Sequence, residues 1–97
     1  MIDFIDQELQ VSGKIDYDNA ESYYQQGLRL IHQQNQFPVV VNLAKLEQGS
    51  TLALAVFIRL LRQTPDAKGL IFKSVPVRMM KIIQASHLEH DLQLIPD

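Results

Sequence analysis

The fold turns on the stretch Val39-Val40-Val41-Asn42-Leu43-Ala44-Lys45-Leu46-Glu47-Gln48-Gly49-Ser50-Thr51-Leu52-Ala53-Leu54-Ala55-Val56-Phe57. It opens as a β-branched apolar run, as expected of an interior strand in a parallel sheet. It passes through a short polar loop and resumes as an apolar segment with helical spacing. A Ser-Thr pair sits at the switch. A hydroxyl is thereby placed at a helix N-terminus, where backbone N–H groups lack partners and the helix dipole is positive. Such a corner can cap its own helix, accept a phosphate or dock a partner.

The flanking sequence continues the alternation. Ile2 and Phe4, then Leu9 and Val11, alternate with polar residues and predict two short strands around an Asp6-Gln7 turn, the second ending near Ser12-Gly13. Asp16 to Asn19 supply helix-start signals. Ala20, Tyr23, Tyr24, Gly27, Leu28, Leu30 and Ile31 follow at helical spacing as far as the Gln33–Gln36 stretch, and Pro38 forces the break. Val39 to Leu43 is the interior strand. The next helix runs from about Ser50 or Thr51 to Arg62 and closes at Thr64-Pro65-Asp66. Gly69 to Ser74 predicts another strand. Pro76 reads as a first-turn proline ahead of helical Val77, Met79, Met80, Ile82 and Ile83. Leu92, Leu94 and Ile95 can add a last short strand. This order argues for an α/β fold with a partly parallel, mixed sheet and helices packed on it.

Composition narrows the function. A chain of 97 residues fits one domain spanning 1–97, large enough for a modest core. A net charge of −2 leaves no broad basic footprint for nucleic acid or anionic lipid. Without cysteine there is no disulfide, thiolate chemistry or Cys-based zinc. Met1-Ile2-Asp3-Phe4-Ile5-Asp6 carries acids where a signal peptide carries bases. No apolar run approaches the roughly 20 residues that span a bilayer. A cytoplasmic location is the expectation.

The middle helix has apolar surface to spare. At about 100° per residue, Ala53, Leu54, Phe57, Leu60 and Leu61 form the core side. The opposite arc holds Thr51, Ala55, Arg59 and Arg62, bordered by Leu52 and Val56. That arc is small or apolar at its N-terminal end and basic at its C-terminal end, the make-up of a docking face with a charged rim. Cover by neighbouring loops is the alternative.

Candidate chemistry is thin. His87-x-x-His90 near Glu89 and Asp91 lacks a His-Glu-x-x-His motif and reads as a solvated polar face, so no metal is expected. His32 is an ordinary last-turn histidine. Gly49-Ser50-Thr51 lacks the spacing and lysine of a P-loop, and no serine sits in Gly-x-Ser-x-Gly. Tyr17, Tyr23 and Tyr24 read as core or edge aromatics with wetted hydroxyls. Met79 and Met80 beside Arg78 and Lys81 read as a core stripe with a solvated face. No catalysis and no cofactor are expected.

At these same residues the chain resembles the STAS domain family, the fold of the anti-sigma-factor antagonists. Asn42-Leu43-Ala44 is similar to the family's strand-end loop, and Ser50-Thr51-Leu52-Ala53 to its helix-start motif. Leu9-Gln10-Val11-Ser12-Gly13-Lys14-Ile15-Asp16 is similar to its early strand with the Gly-x-apolar-Asp ending. Ser50 stands where the family usually has Asp, and Leu52 where Gly or Ser is common. Within the family the chain looks most like the small stand-alone subunits of phospholipid-transport ABC complexes, both in being only the domain and in its short ending from Ile82 to Pro96. That resemblance implies a non-catalytic cytoplasmic subunit. It would bind the transporter's ATPase subunit, and through it the membrane permease, by Thr51, Leu52, Ala55, Arg59 and Arg62, without inserting in the membrane. In the regulatory branch the residue matching Thr51 is a phosphorylation site, so the alternative is an anti-sigma-factor antagonist switched at Thr51.

Overall fold

The computed structural model describes residues 1–65 and 69–95. Asp66, in the turn expected to close the middle helix, and Pro96, in the expected ending, lie outside the described residues. Among the described residues the elements run β1 (Ile2–Ile5), β2 (Glu8–Lys14), α1 (Ala20–His32), β3 (Val39–Glu47), α2 (Thr51–Leu61), β4 (Leu70–Lys73), α3 (Val77–Ala85) and β5 (Gln93–Ile95).

The strands form one sheet in sequence order, β1-β2-β3-β4-β5. The β1–β2 hairpin is antiparallel, and its turn residues Asp6 and Gln7 both have positive φ, as a tight two-residue hairpin turn requires. Every later pair is parallel. Three successive crossovers therefore step in the same direction. Right-handed crossovers that all step one way put all their helices on one face of the sheet. In keeping with this, α2 touches both α1 and α3.

The core lies between that face and the helices. Leu9 and Val11, Val39, Val41 and Leu43, and Leu70 and Phe72 supply it from the strands. Phe57 of α2 sits with its ring centroid 5.9 Å from that of Phe72. Gly27 lets α1 approach α2 closely, since a Cβ there would lie 2.8 Å from a methyl of Leu60. On the other face, Glu8 receives hydrogen bonds from Lys73 at 3.0 Å and Asn42 at 3.1 Å, tying β2 to β3 and β4.

Four expectations need correction. The central strand does not stop at Leu43 but continues to Glu47. Its last residues pair with β2 alone, Lys45 with Ser12 and Glu47 with Lys14, beyond a register shift near Val11. That segment lies past the end of β4, so it tolerates polar side chains that masked it as a loop. Pro76 is the N-cap of α3 rather than its first residue. Tyr17 is neither core nor edge; it stands 92% exposed in the loop after β2. Tyr23 is buried, but its hydroxyl is not left to water: it donates to the Ser12 carbonyl at 2.6 Å.

Candidate docking surface

The parallel strands β2, β3 and β4 deliver their following loops to the same edge of the sheet. At the centre of that edge, Gln48 turns the chain with φ 51 and Gly49 follows, buried. A Cβ on Gly49 would lie 3.0 Å from the Cβ atoms of both Met79 and Pro76, so glycine allows the loop to rest on the start of α3. Ser50 is extended, and its hydroxyl accepts a hydrogen bond from the Ala53 N–H at 3.1 Å. Capping is thus done by Ser50. Thr51, the first residue of α2, is exposed, and its hydroxyl takes no part in the hydrogen bonds among the described residues.

Down the helix, Ala53, Leu54, Val56, Phe57 and Leu60 are buried. Val56, expected at the border of the outer arc, is 2% exposed and belongs to the core cluster that forms where α2 packs against its neighbours, α1 among them. Thr51, Ala55, Arg59 and Arg62 are exposed and Leu52 is half-buried. All five expected contact residues therefore reach the outer surface of α2 or its flank. Ile58 was missed by the sequence reading. Seven residues after Thr51 and three after Ala55, it shares their side of the helix and is only half-buried. Its spacing was the available signal.

Arg59 is already engaged within the chain. Its guanidinium lies 3.8 Å from the ring centroid of Tyr24 and 3.4 Å from a Glu21 carboxylate oxygen, both on α1. It marks the α1 side of the arc. Arg62 is exposed and enters neither ion pair found among the described residues.

The other candidates do not form sites. α3 ends at Ala85, so His87 and His90 share no helix face, and both are exposed. Among the described residues no group of three His, Cys, Asp or Glu side chains is placed to hold a metal. An open pocket of about 110 Å³, lined by Phe4, Gln7, Gln34, Gln36, Pro38 and Val39, lies at the opposite end of the parallel strands. None of these lining residues carries a titratable side chain.

The family model for the Mlab, STAS domain matches residues 2–96. The chain belongs to that STAS family. This STAS domain is also similar to a chain of the Acinetobacter MlaFEDB complex in its ATP-bound Vtrans2 conformation. The two share 56% identity with a TM-score of 0.91, covering 98% of this chain and 99% of that one. In the Vtrans1 conformation of the same complex the identity is 56% and the TM-score 0.90, over 98% and 100% of the two chains. No curated protein matches it. No helix among the described residues is long and apolar enough to cross a membrane.

Proposed function

We propose that this protein is the STAS subunit of a phospholipid-transport ABC complex of the MlaFEDB kind, a single domain over residues 1–97. The observation that carries this reading is the end-to-end match, at 56% identity, to a chain of that assembly. The same match favours a transport subunit over an anti-sigma-factor antagonist, and Ser50 in place of the antagonists' usual Asp points the same way. In this reading the subunit does no chemistry of its own. It lies on the cytoplasmic side, held at the inner membrane through the ATPase subunit and the permease.

The α2 face performs the docking. Thr51, Leu52 and Ala55 form its apolar centre, with Arg59 and Arg62 at the rim. The short side chains of Thr51 and Ala55 let a partner approach the helix closely. Contact there supports assembly or activity of the ATPase. Arg59 reaches the partner while stacked on Tyr24, which fixes its position before binding and reduces the ordering cost.

Thr51→Glu and Ala55→Arg test the reading. An unpaired charge buried at the contact costs on the order of 3–5 kcal/mol. The glutamate, in the first turn of α2, favours the isolated helix by about 0.3–1 kcal/mol. Thr51→Glu should therefore keep its melting temperature and lose the ATPase subunit in co-purification, and Ala55→Arg should do the same by steric block. Co-purification of both folded variants at wild-type levels would refute docking through α2.

A further inference from the structure

Thr51 and Val77 occupy equivalent places. Each begins a helix, and each comes four residues after the last residue of a parallel strand, Glu47 of β3 or Lys73 of β4. In both loops the first residue after the strand has positive φ, Gln48 at 51° and Ser74 at 58°. The two loops touch where Gly49 meets Pro76 and Met79, so the starts of α2 and α3 stand side by side. Val77 is 73% exposed, an apolar β-branched side chain held in water at the start of α3. Lys81 lies one turn behind it on the same side of α3, and Arg78 flanks it; both are exposed.

Charge gives the partner's character. Neither α2 nor α3 contains an acidic residue. Arg62, Arg78 and Lys81 are exposed and belong to neither ion pair found among the described residues. A basic surface with an apolar centre has thus been set apart on a chain whose net charge is −2.

We propose that the first turns of α3 are a second arm of the docking surface: Val77 enters an apolar depression on the ATPase subunit next to the Thr51 contact, and Arg78 and Lys81 pair with acidic residues around it. The inference rests on the docking role given to α2. The occupant is the ATPase subunit because Val77 continues the α2 face through the Gly49–Pro76 contact and because the surrounding charge calls for an acidic protein surface.

The test is titration calorimetry of the full chain against the purified ATPase subunit of the same complex, using wild type, Thr51→Glu, Val77→Asp and an Arg78→Gln/Lys81→Gln double variant. Val77→Asp removes an exposed side chain and puts an acid at the start of α3, which favours the helix, so its melting temperature should hold. Its Kd should weaken on the order of tenfold or more. The double variant should bind more weakly than wild type and lose much of the salt dependence of binding. Wild-type affinity in Val77→Asp alongside loss in Thr51→Glu would overturn the second arm and leave the α2 reading standing. Loss in Val77→Asp with Thr51→Glu unaffected would support the α3 arm and refute the α2 face. Wild-type affinity in both would refute both. Vesicles containing phosphatidylglycerol provide the remaining arm. If wild type binds them, the double variant does not, and its affinity for the ATPase subunit is unchanged, the basic residues serve a membrane and the proposal fails.

Discussion

Gly49→Ala measures how firmly the β3–α2 loop is seated on α3. The φ of Gly49 lies outside the left-handed range, so alanine meets no backbone penalty there and the outcome depends on space. The new Cβ would lie 3.0 Å from the Cβ atoms of Met79 and Pro76 and 3.1 Å from Pro76 Cγ. Those two Cβ atoms are fixed to the backbone of α3 and its cap, and Met79 is buried, so relief requires the helix start to move. Overpacking of this kind costs about 1–3 kcal/mol. Against it, alanine restricts the unfolded chain and returns about 0.4–1 kcal/mol. The contact outweighs the entropy, leaving a net loss of order 1 kcal/mol, or roughly 4–8 °C in melting temperature for a domain of this size. Urea denaturation of both proteins gives the difference directly. The displacement also separates Thr51 from Val77, so affinity for the ATPase subunit should fall in the same variant. A Gly49→Ala protein more stable than wild type would mean that the loop and α3 are not in the contact described, and the side-by-side placement of the two helix starts would be lost with it.

Ser50→Ala removes the hydroxyl that caps the Ala53 N–H and should cost about 1 kcal/mol, within a range of roughly 0.5–2, read by thermal unfolding. Because Ser50 caps and Thr51 faces outward, that variant should still bind the ATPase subunit once folded; a stable Ser50→Ala protein that fails to bind would contradict this division of roles. Glu8 should give stability a pH dependence: the hydrogen bonds from Lys73 and then Asn42 hold its carboxyl below the usual glutamate range. A depressed carboxyl contributes stability that is fully present above its unfolded pKa and disappears as pH falls through the folded one, so the loss falls in the acid range below about 4.5. Glu8→Gln should be less stable at neutral pH by about 0.2–1 kcal/mol, as for other partly exposed pairs, and the difference should vanish on acidification. A gap between the two proteins that stays constant down to strongly acid pH would refute the assignment.

The sequence by itself determined the parts and their order. The Val39–Val41 run reads as an interior strand because β-branched side chains without polar interruption suit a pleated surface covered by neighbours on both edges. Ser50 reads as a helix start because its hydroxyl reaches an N–H only three residues away. Both signals are local, and the structure keeps both. The outward set of Thr51, Ala55, Arg59 and Arg62 was legible for the same reason, since helical periodicity alone separates two sides of one helix. Which neighbour covers each side was not legible. Val56 fell on the buried side because the packing of α2 against its neighbours, α1 among them, takes it into the core, and no periodicity reports the width of that cover. Arg59 stacks on Tyr24 and pairs with Glu21, which is 38 residues away in the chain. The polar end of β3, through Lys45 and Glu47, becomes strand only by pairing with β2 past a register shift. The starts of α2 and α3 came together only when Gly49 met Pro76 and Met79. Local preference chooses the conformation of a segment, but contacts between distant segments depend on closing the chain around a shared core, and only the folded structure decides which pairs then meet.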